Sequence, residues 1–194
     1  MVPQAVANAL WSYATFGAAP GRAAYEALEA AAARTARSMK PQAVANSLWA
    51  YATFGVSPGR PTVEALEAAV ARTAESMVPQ AVANALWSYA KLDEAPTRAT
   101  LDALEAAAER TAESMVPQAV ANVLWSYATL GEAPARATLD ALEAAAERTA
   151  RSMLPQHVAN ALWSYATLGE APGRATLDAL EAAVERTARS ANAQ

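Results

Sequence analysis

Between residues 3 and 16, apolar and polar side chains separate at the helical period of about 100° per residue. Pro3, Val6, Ala7, Leu10, Tyr13 and Ala14 form a wide apolar sector, with Phe16 at its margin, while Gln4, Asn8, Ser12 and Thr15 share a compact arc opposite. The pattern predicts an amphipathic helix opening at Pro3, since proline suits the first helical turn, where its missing N–H would be unpaired anyway. Gly17 reads as a left-handed stop, and Pro20 keeps the helix from continuing. A second helical pattern follows, from near Arg22 or Ala24 to Arg37. Its counterpart later in the chain carries Leu101, Leu104, Ala108 and Ala112 at the spacing of a buried stripe, with Glu105 and Glu109 on a more solvated face. Alanine and glutamate are strong helix formers, so propensity and pattern agree. Nothing reads as a strand.

This helix pair recurs five times at a fixed period of 38 residues, in blocks 1–38, 39–76, 77–114, 115–152 and 153–190, followed by a tail of residues 191–194. The stops recur as Gly55, Gly131 and Gly169, with Asp93 in the third block, and the prolines as Pro58, Pro96, Pro134 and Pro172. Thr62, Thr100, Thr138 and Thr176 are candidate caps for the second helix, the alternative being a helix that begins earlier, at the proline. A lone pair cannot bury both Trp11 and Leu28, whereas stacked pairs share a continuous core. The expected fold is therefore all-α: a single repeat array, an α-solenoid of five stacked 38-residue helix-turn-helix units. The terminal blocks carry no distinctive polar cap, which solenoids generally need, so the array reads as a fragment of a longer one, the alternative being a complete small protein with exposed end faces.

The formal net charge is −4, and by block it runs +1, 0, −3, −1 and −1, so only the N-terminal end avoids a negative surplus. Nucleic-acid binders usually gain affinity from a positive surplus, and this chain has none overall. There is no cysteine, hence no disulfide framework, thiol nucleophile or thiolate metal site. No stretch approaches the roughly 18 apolar residues needed to cross a bilayer, so no membrane contact is expected, and no targeting segment is evident. No phosphate-binding glycine loop or nucleophile–base pair occurs. His157, the sole histidine, stands where the other blocks have alanine and has no companion ligands. Neither enzyme activity nor a cofactor is expected.

Candidate binding chemistry lies on the polar arc of the first helix. Asn8 recurs as Asn46, Asn84, Asn122 and Asn160, and Ser12 as Ser88, Ser126 and Ser164, with Ala50 in the second block. Amides offer both donor and acceptor, so an aligned ribbon of them can meet base edges or peptide groups. The competing reading is a ladder in which each Asn ties one unit to the next through backbone groups. Discrimination between ligands would fall to variable neighbours: Ala5, Ala43, Ala81, Ala119 and His157; the Ser12 series; and Thr15, Thr53, Lys91, Thr129 and Thr167. Trp11, Trp49, Trp87, Trp125 and Trp163 sit between the sectors, either packing between units or offering rings on which bases stack. Arg22, Arg60, Arg98, Arg136 and Arg174 precede a carboxylate by four residues, a spacing for weak surface pairs. Projecting from one edge instead, they would hold phosphates at one repeat spacing.

The run PQAVANALWSYATFG, followed by APxRATLDALEAAAERTA, resembles the octotricopeptide repeat family of algal organelle proteins, over all five blocks. The V-A-N-x-L-W-x-Y-A core carries the likeness; the family's PPPEW-like stretch is represented only by AP-G/T/A-R or SPGR. The resemblance implies an α-solenoid that binds single-stranded RNA in a chloroplast or mitochondrion, in support of transcript stability, processing or translation. From the residues alone two other readings stand beside it: a scaffold that takes a peptide or protein in its groove, and an idealised array without a selected ligand.

Overall fold

A computed structural model describes residues 1–191, and among them every regular element is helical. The first helices of the five units are α1 (Pro3–Thr15), α3 (Pro41–Phe54), α5 (Pro79–Leu92), α7 (Pro117–Leu130) and α9 (Pro155–Leu168). The second helices are α2 (Arg22–Thr35), α4 (Arg60–Thr73), α6 (Arg98–Thr111), α8 (Arg136–Thr149) and α10 (Arg174–Ala191). The first four second helices tighten into a 3₁₀ turn, such as Ala36–Ser38, before the next unit begins. Of the expected tail, Ala191 closes α10 and residues 192–194 lie outside the described residues.

The boundaries have local causes. Each first helix begins with proline at its first position after an extended residue. Each ends in a left-handed residue whose amide, with the next one, returns to the last turn: Gly55 N–H donates to Ala52 O at 3.2 Å and Val56 N–H to Tyr51 O at 3.4 Å. Gly55 takes φ of 67° without steric cost. In the third unit Asp93 takes φ of 55° and closes the same motif, with Glu94 N–H donating to Tyr89 O at 3.1 Å. The threonine caps are not found. The second helices start two residues earlier, after Gly59, Thr97 or Ala135, and Thr62, Thr100, Thr138 and Thr176 are buried inside the first turn.

Each first helix packs along its length on the first helices before and after it, and much more extensively than second helices pack on one another. Small residues make this close approach feasible: Ala43, Ala45, Ser47, Ala50 and Ala52 on α3 are buried, as are Ala81, Ala83, Ala85, Ser88 and Ala90 on α5. The apolar core runs between the layers through Leu66, Leu104, Leu142 and Leu180, with Met39, Met77, Met115 and Met153 filling the junctions between units. Tyr51, Tyr89, Tyr127 and Tyr165 reach back from a first helix toward the second helix of the preceding unit. Tyr51, for example, meets Tyr25 edge-on at 6.0 Å between ring centroids. The layer of first helices, the more closely packed of the two, carries the groove and is the inner face of the stack.

Candidate nucleic-acid interface

The inner face carries a groove of about 1050 Å³ that spans the first four units. Its lining repeats at one helix per step: Gln4 and Asn8, Gln42 and Asn46, Gln80 and Asn84, Gln118 and Asn122. Trp11 and Trp49 flank the amides, Thr15 lies at one end, and Lys40 is the one charged residue in the lining. No carboxylate lines the groove, although the chain carries 19 acidic residues. The net negative charge therefore lies elsewhere, and the groove wall is close to neutral.

The amides do not form the inter-repeat ladder. Gln4 Nε2 donates to Asn8 Oδ1 at 2.8 Å and Gln156 Nε2 to Asn160 Oδ1 at 2.7 Å, both along a single helix. The side chains of Asn46, Asn84 and Asn122 make no hydrogen bond among the described residues, and all three are only half-buried. Their donors and acceptors face a groove that a ligand can enter. The tryptophans divide by position: Trp49, Trp87 and Trp125 are half-buried between units, and Trp11 and Trp163 are exposed, so each ring keeps an accessible part.

Two sets of expected contact residues are placed elsewhere. Ser88, Ser126 and Ser164 are fully buried between first helices and Ser12 is half-buried; each hydroxyl donates to the carbonyl four residues earlier, as from Ser126 to Asn122 at 2.6 Å. A serine that satisfies itself in this way fits a helix contact as alanine does. The alanines of the position-5 series follow: Ala43, Ala81 and Ala119 are buried at the same contact, Ala119 reaching the groove only at its margin. The arginines at the start of the second helices do not line the groove. Arg22, Arg60, Arg98, Arg136 and Arg174 pair with the carboxylate four residues on, at 2.6–2.8 Å, and Arg98 and Arg136 also approach Glu132 and Glu170 of the next unit at 3.5 Å. The surface-pair reading is the one the geometry satisfies. Lys91, Thr53, Thr129 and Thr167 are exposed but outside the groove lining. His157 accepts a hydrogen bond on Nδ1 from the Leu154 N–H at 3.3 Å, which makes it a helix-end residue.

The charged residues that tie the units together were not singled out as such by the sequence. Glu29 Oε1 accepts from the Gly59 N–H at 2.7 Å, Glu67 from Thr97 at 2.6 Å, Glu105 from Ala135 at 2.7 Å and Glu143 from Gly173 at 2.5 Å. Each carboxylate thus caps the N-terminus of the next unit's second helix, where the helix dipole also favours it. At the other end, Arg72 Nη2 donates to Ala36 O and Met39 O at 3.2 and 2.9 Å, and Arg110, Arg148 and Arg186 repeat the contact. Each of these arginines thus serves the helix end of the preceding unit. The repeated signal was present in the chain: Glu29, Glu67, Glu105, Glu143 and Glu181 occupy one position in every block, whereas the position four residues later varies between alanine and glutamate.

Burial shifts the tyrosines. Tyr25 is pushed up to about 12, and Tyr51, Tyr89, Tyr127 and Tyr165 are raised further; burial is the first cause throughout, followed by the nearby carboxylates of Glu29, Glu67, Glu105 and Glu143, with Tyr25 ahead of Glu29 in the case of Tyr51. These five hydroxyls have no hydrogen-bond partner among the described residues. Among the same residues no three His, Cys, Asp or Glu side chains gather as metal ligands, and no helix is long and apolar enough to cross a membrane. No protein-family model matches the chain, and no curated protein matches it. The class that fold and groove define is thus a tandem-repeat α-solenoid with an amide- and indole-lined inner face.

Proposed function

We propose that the chain is a single-stranded RNA-binding repeat module of the octotricopeptide kind, part of an organellar gene-expression factor acting on transcript stability, processing or translation in a chloroplast or mitochondrion. The observation that carries this reading is the groove: amides with free donors and acceptors, repeated once per unit, beside partly exposed indoles and with no carboxylate in the wall. Unstacked bases need hydrogen-bonding edges and aromatic surfaces, and single-stranded RNA supplies the matching groups. Phosphates would lie toward solvent, because Lys40 is the only cation of the lining. Salt dependence should then be shallow: log affinity falls with log salt at about 0.7 per neutralised phosphate, so a slope near one is expected.

The test is a titration of labelled random single-stranded RNA at several salt concentrations. Replacing Trp49 with alanine should weaken binding by roughly tenfold, from the loss of about 1–3 kcal/mol of stacking. Asn84→Ala with Asn122→Ala should weaken it further, and Arg60→Glu should leave it nearly unchanged. Absence of binding at low salt would overturn the reading. The near-neutral wall also favours a second reading, an extended uncharged peptide held by the same amides; capture of such a peptide by a chain inert to RNA would establish it.

A further inference from the structure

The first helices vary from unit to unit, but the groove wall hardly does. The variable positions lie outside it: His157 stands at a helix end, Lys91 is exposed beyond the lining, and Ser88 and Ser126 are buried between helices. The lining is built from residues that every block repeats, the Gln4 and Asn8 series with Trp11 and Trp49. Among positions that several units contribute to the wall, only the residue before each proline differs, Lys40 against Val78 and Val116. The valines carry no polar side-chain atom, and an ammonium group suits a phosphate. The groove therefore presents one amide surface four times over, at Asn8, Asn46, Asn84 and Asn122.

An amide sets a donor beside an acceptor. Asn46, Asn84 and Asn122 offer both to the groove. In the first unit Gln4 Nε2 donates to Asn8 Oδ1 at 2.8 Å, which still leaves a donor on Asn8 Nδ2 and an acceptor on Gln4 Oε1. Adenine answers this set on both of its edges, the N6 amino group standing beside N7 on one and beside N1 on the other. Guanine shows two acceptors on the first edge, which call for a guanidinium or ammonium group, and on the second adds an N2 amino donor that a single amide leaves unpaired. Cytosine and uracil carry a donor beside an acceptor on one edge only, and their single rings cover less of Trp11 or Trp49 than a purine does.

We propose that the RNA taken by the groove is a run of adenines, held one base per unit and in any register. This rests on the reading of the groove as an RNA site and adds the base to it. Units with the same wall have no means of selecting a mixed sequence. Along an adenine run, a shift by one nucleotide restores every contact, so the chain occupies an A-rich stretch at many overlapping positions and moves between them without losing a base. Lys40, the one cation of the lining, meets a phosphate and sets no preference among bases.

Fluorescence anisotropy of the full chain with labelled RNA at a fixed low salt concentration tests this. The central probe holds four adenines, one for each unit of the groove, between abasic nucleotides that fix the register. Replacing any one adenine by cytosine, uracil or guanine should weaken binding roughly tenfold, with a similar loss at every position. Oligo(A) should likewise bind more tightly than oligo(U), oligo(C) or a mixed sequence of equal length. Asn84→Asp turns one amide into an acceptor-only group that suits the cytosine N4 amino group. With helicity preserved by circular dichroism, this variant should prefer cytosine at one interior position and adenine at the others. Equal affinity for oligo(A) and a mixed sequence, a preferred base that changes along the probe for the parent chain, or an Asn84→Asp chain with unaltered preferences would each overturn the proposal while RNA binding itself stands. A parent chain that binds none of these probes would overturn the RNA reading together with it.

Discussion

The layer of first helices and the layer of second helices solve the same stacking problem by different means. First helices lie close because alanine and serine occupy the facing positions, and their contact is almost entirely apolar along its length. Second helices stand further apart and are joined at their ends, by a carboxylate at each N-terminus and a guanidinium at each C-terminus. The inner layer depends on shape and the outer layer on directed hydrogen bonds. This division leaves the polar arc of the first helices unused by the fold: the amides of Asn46, Asn84 and Asn122 are not needed for stacking and remain available in the groove.

The comparison breaks most sharply at the tyrosine that bridges the layers. Tyr127 is buried to 1% exposure, and Tyr127→Ala should cost about 3–5 kcal/mol in urea unfolding, the usual range for an aromatic cavity. Tyr127→Phe removes a hydroxyl without a partner and should be neutral or stabilising. The same hydroxyls predict alkaline sensitivity. Burial raises the folded pKa of Tyr89 and Tyr127 above the ordinary 10.0, so the folded state retains protons that the unfolded state releases. Their contribution is complete below pH 10 and is lost as pH rises above it. Unfolding followed by circular dichroism between pH 9 and pH 12 should be cooperative, and Tyr127→Phe should move its midpoint upward.

The outer layer should yield in smaller, separable steps. Glu105→Ala removes the cap on α8, and Arg148→Ala removes the contacts to Ala112 O and Met115 O at 3.3 and 2.8 Å. Each should cost about 1–3 kcal/mol, as for hydrogen bonds to charged groups. The two ties lie at opposite ends of a 14-residue helix, roughly 20 Å apart, so the double variant should be additive to within about 0.5 kcal/mol. Strong coupling between them would show that the second helices form one network rather than independent ties.

The stacked helix pairs were legible in the sequence because period, proline and glycine punctuation and apolar sectors all act locally. The placement of polar residues was less legible, for a physical reason in each case. Ser88, Ser126 and Ser164 fall on the polar arc of a helical wheel, yet a serine bonded to its own helix is apolar to a neighbour; Ala50 in the same series was the clue. Glu105 and Glu109 look alike within one helix. Comparison across the blocks, where the Glu105 position is always glutamate, and the offset of 30 residues to the next unit's N-terminus distinguish the capping residue from its neighbour. Pairing of Arg22 with Glu26 was readable because both partners lie in one turn.

His157 offers the smallest and most local perturbation, and it bears on how the inner layer ends its helices. First helices rely on proline at the first position, whereas second helices are capped by the preceding unit; α9 alone adds a side chain, through Nδ1 of His157. Only the neutral ring can accept the Leu154 N–H, and burial lowers the pKa from its ordinary 6.5 in the same direction. The folded state therefore favours neutral His157, whose contribution is present above pH 6.5 and lost as pH falls below it. His157→Ala restores the residue of the other units. Thermal unfolding should show the parent losing slightly more stability than the variant between pH 7 and pH 5, with the two curves converging at the acid end. If the variant retains the same acid slope, the sensitivity does not come from His157, and the first helices need no side chain at their N-termini.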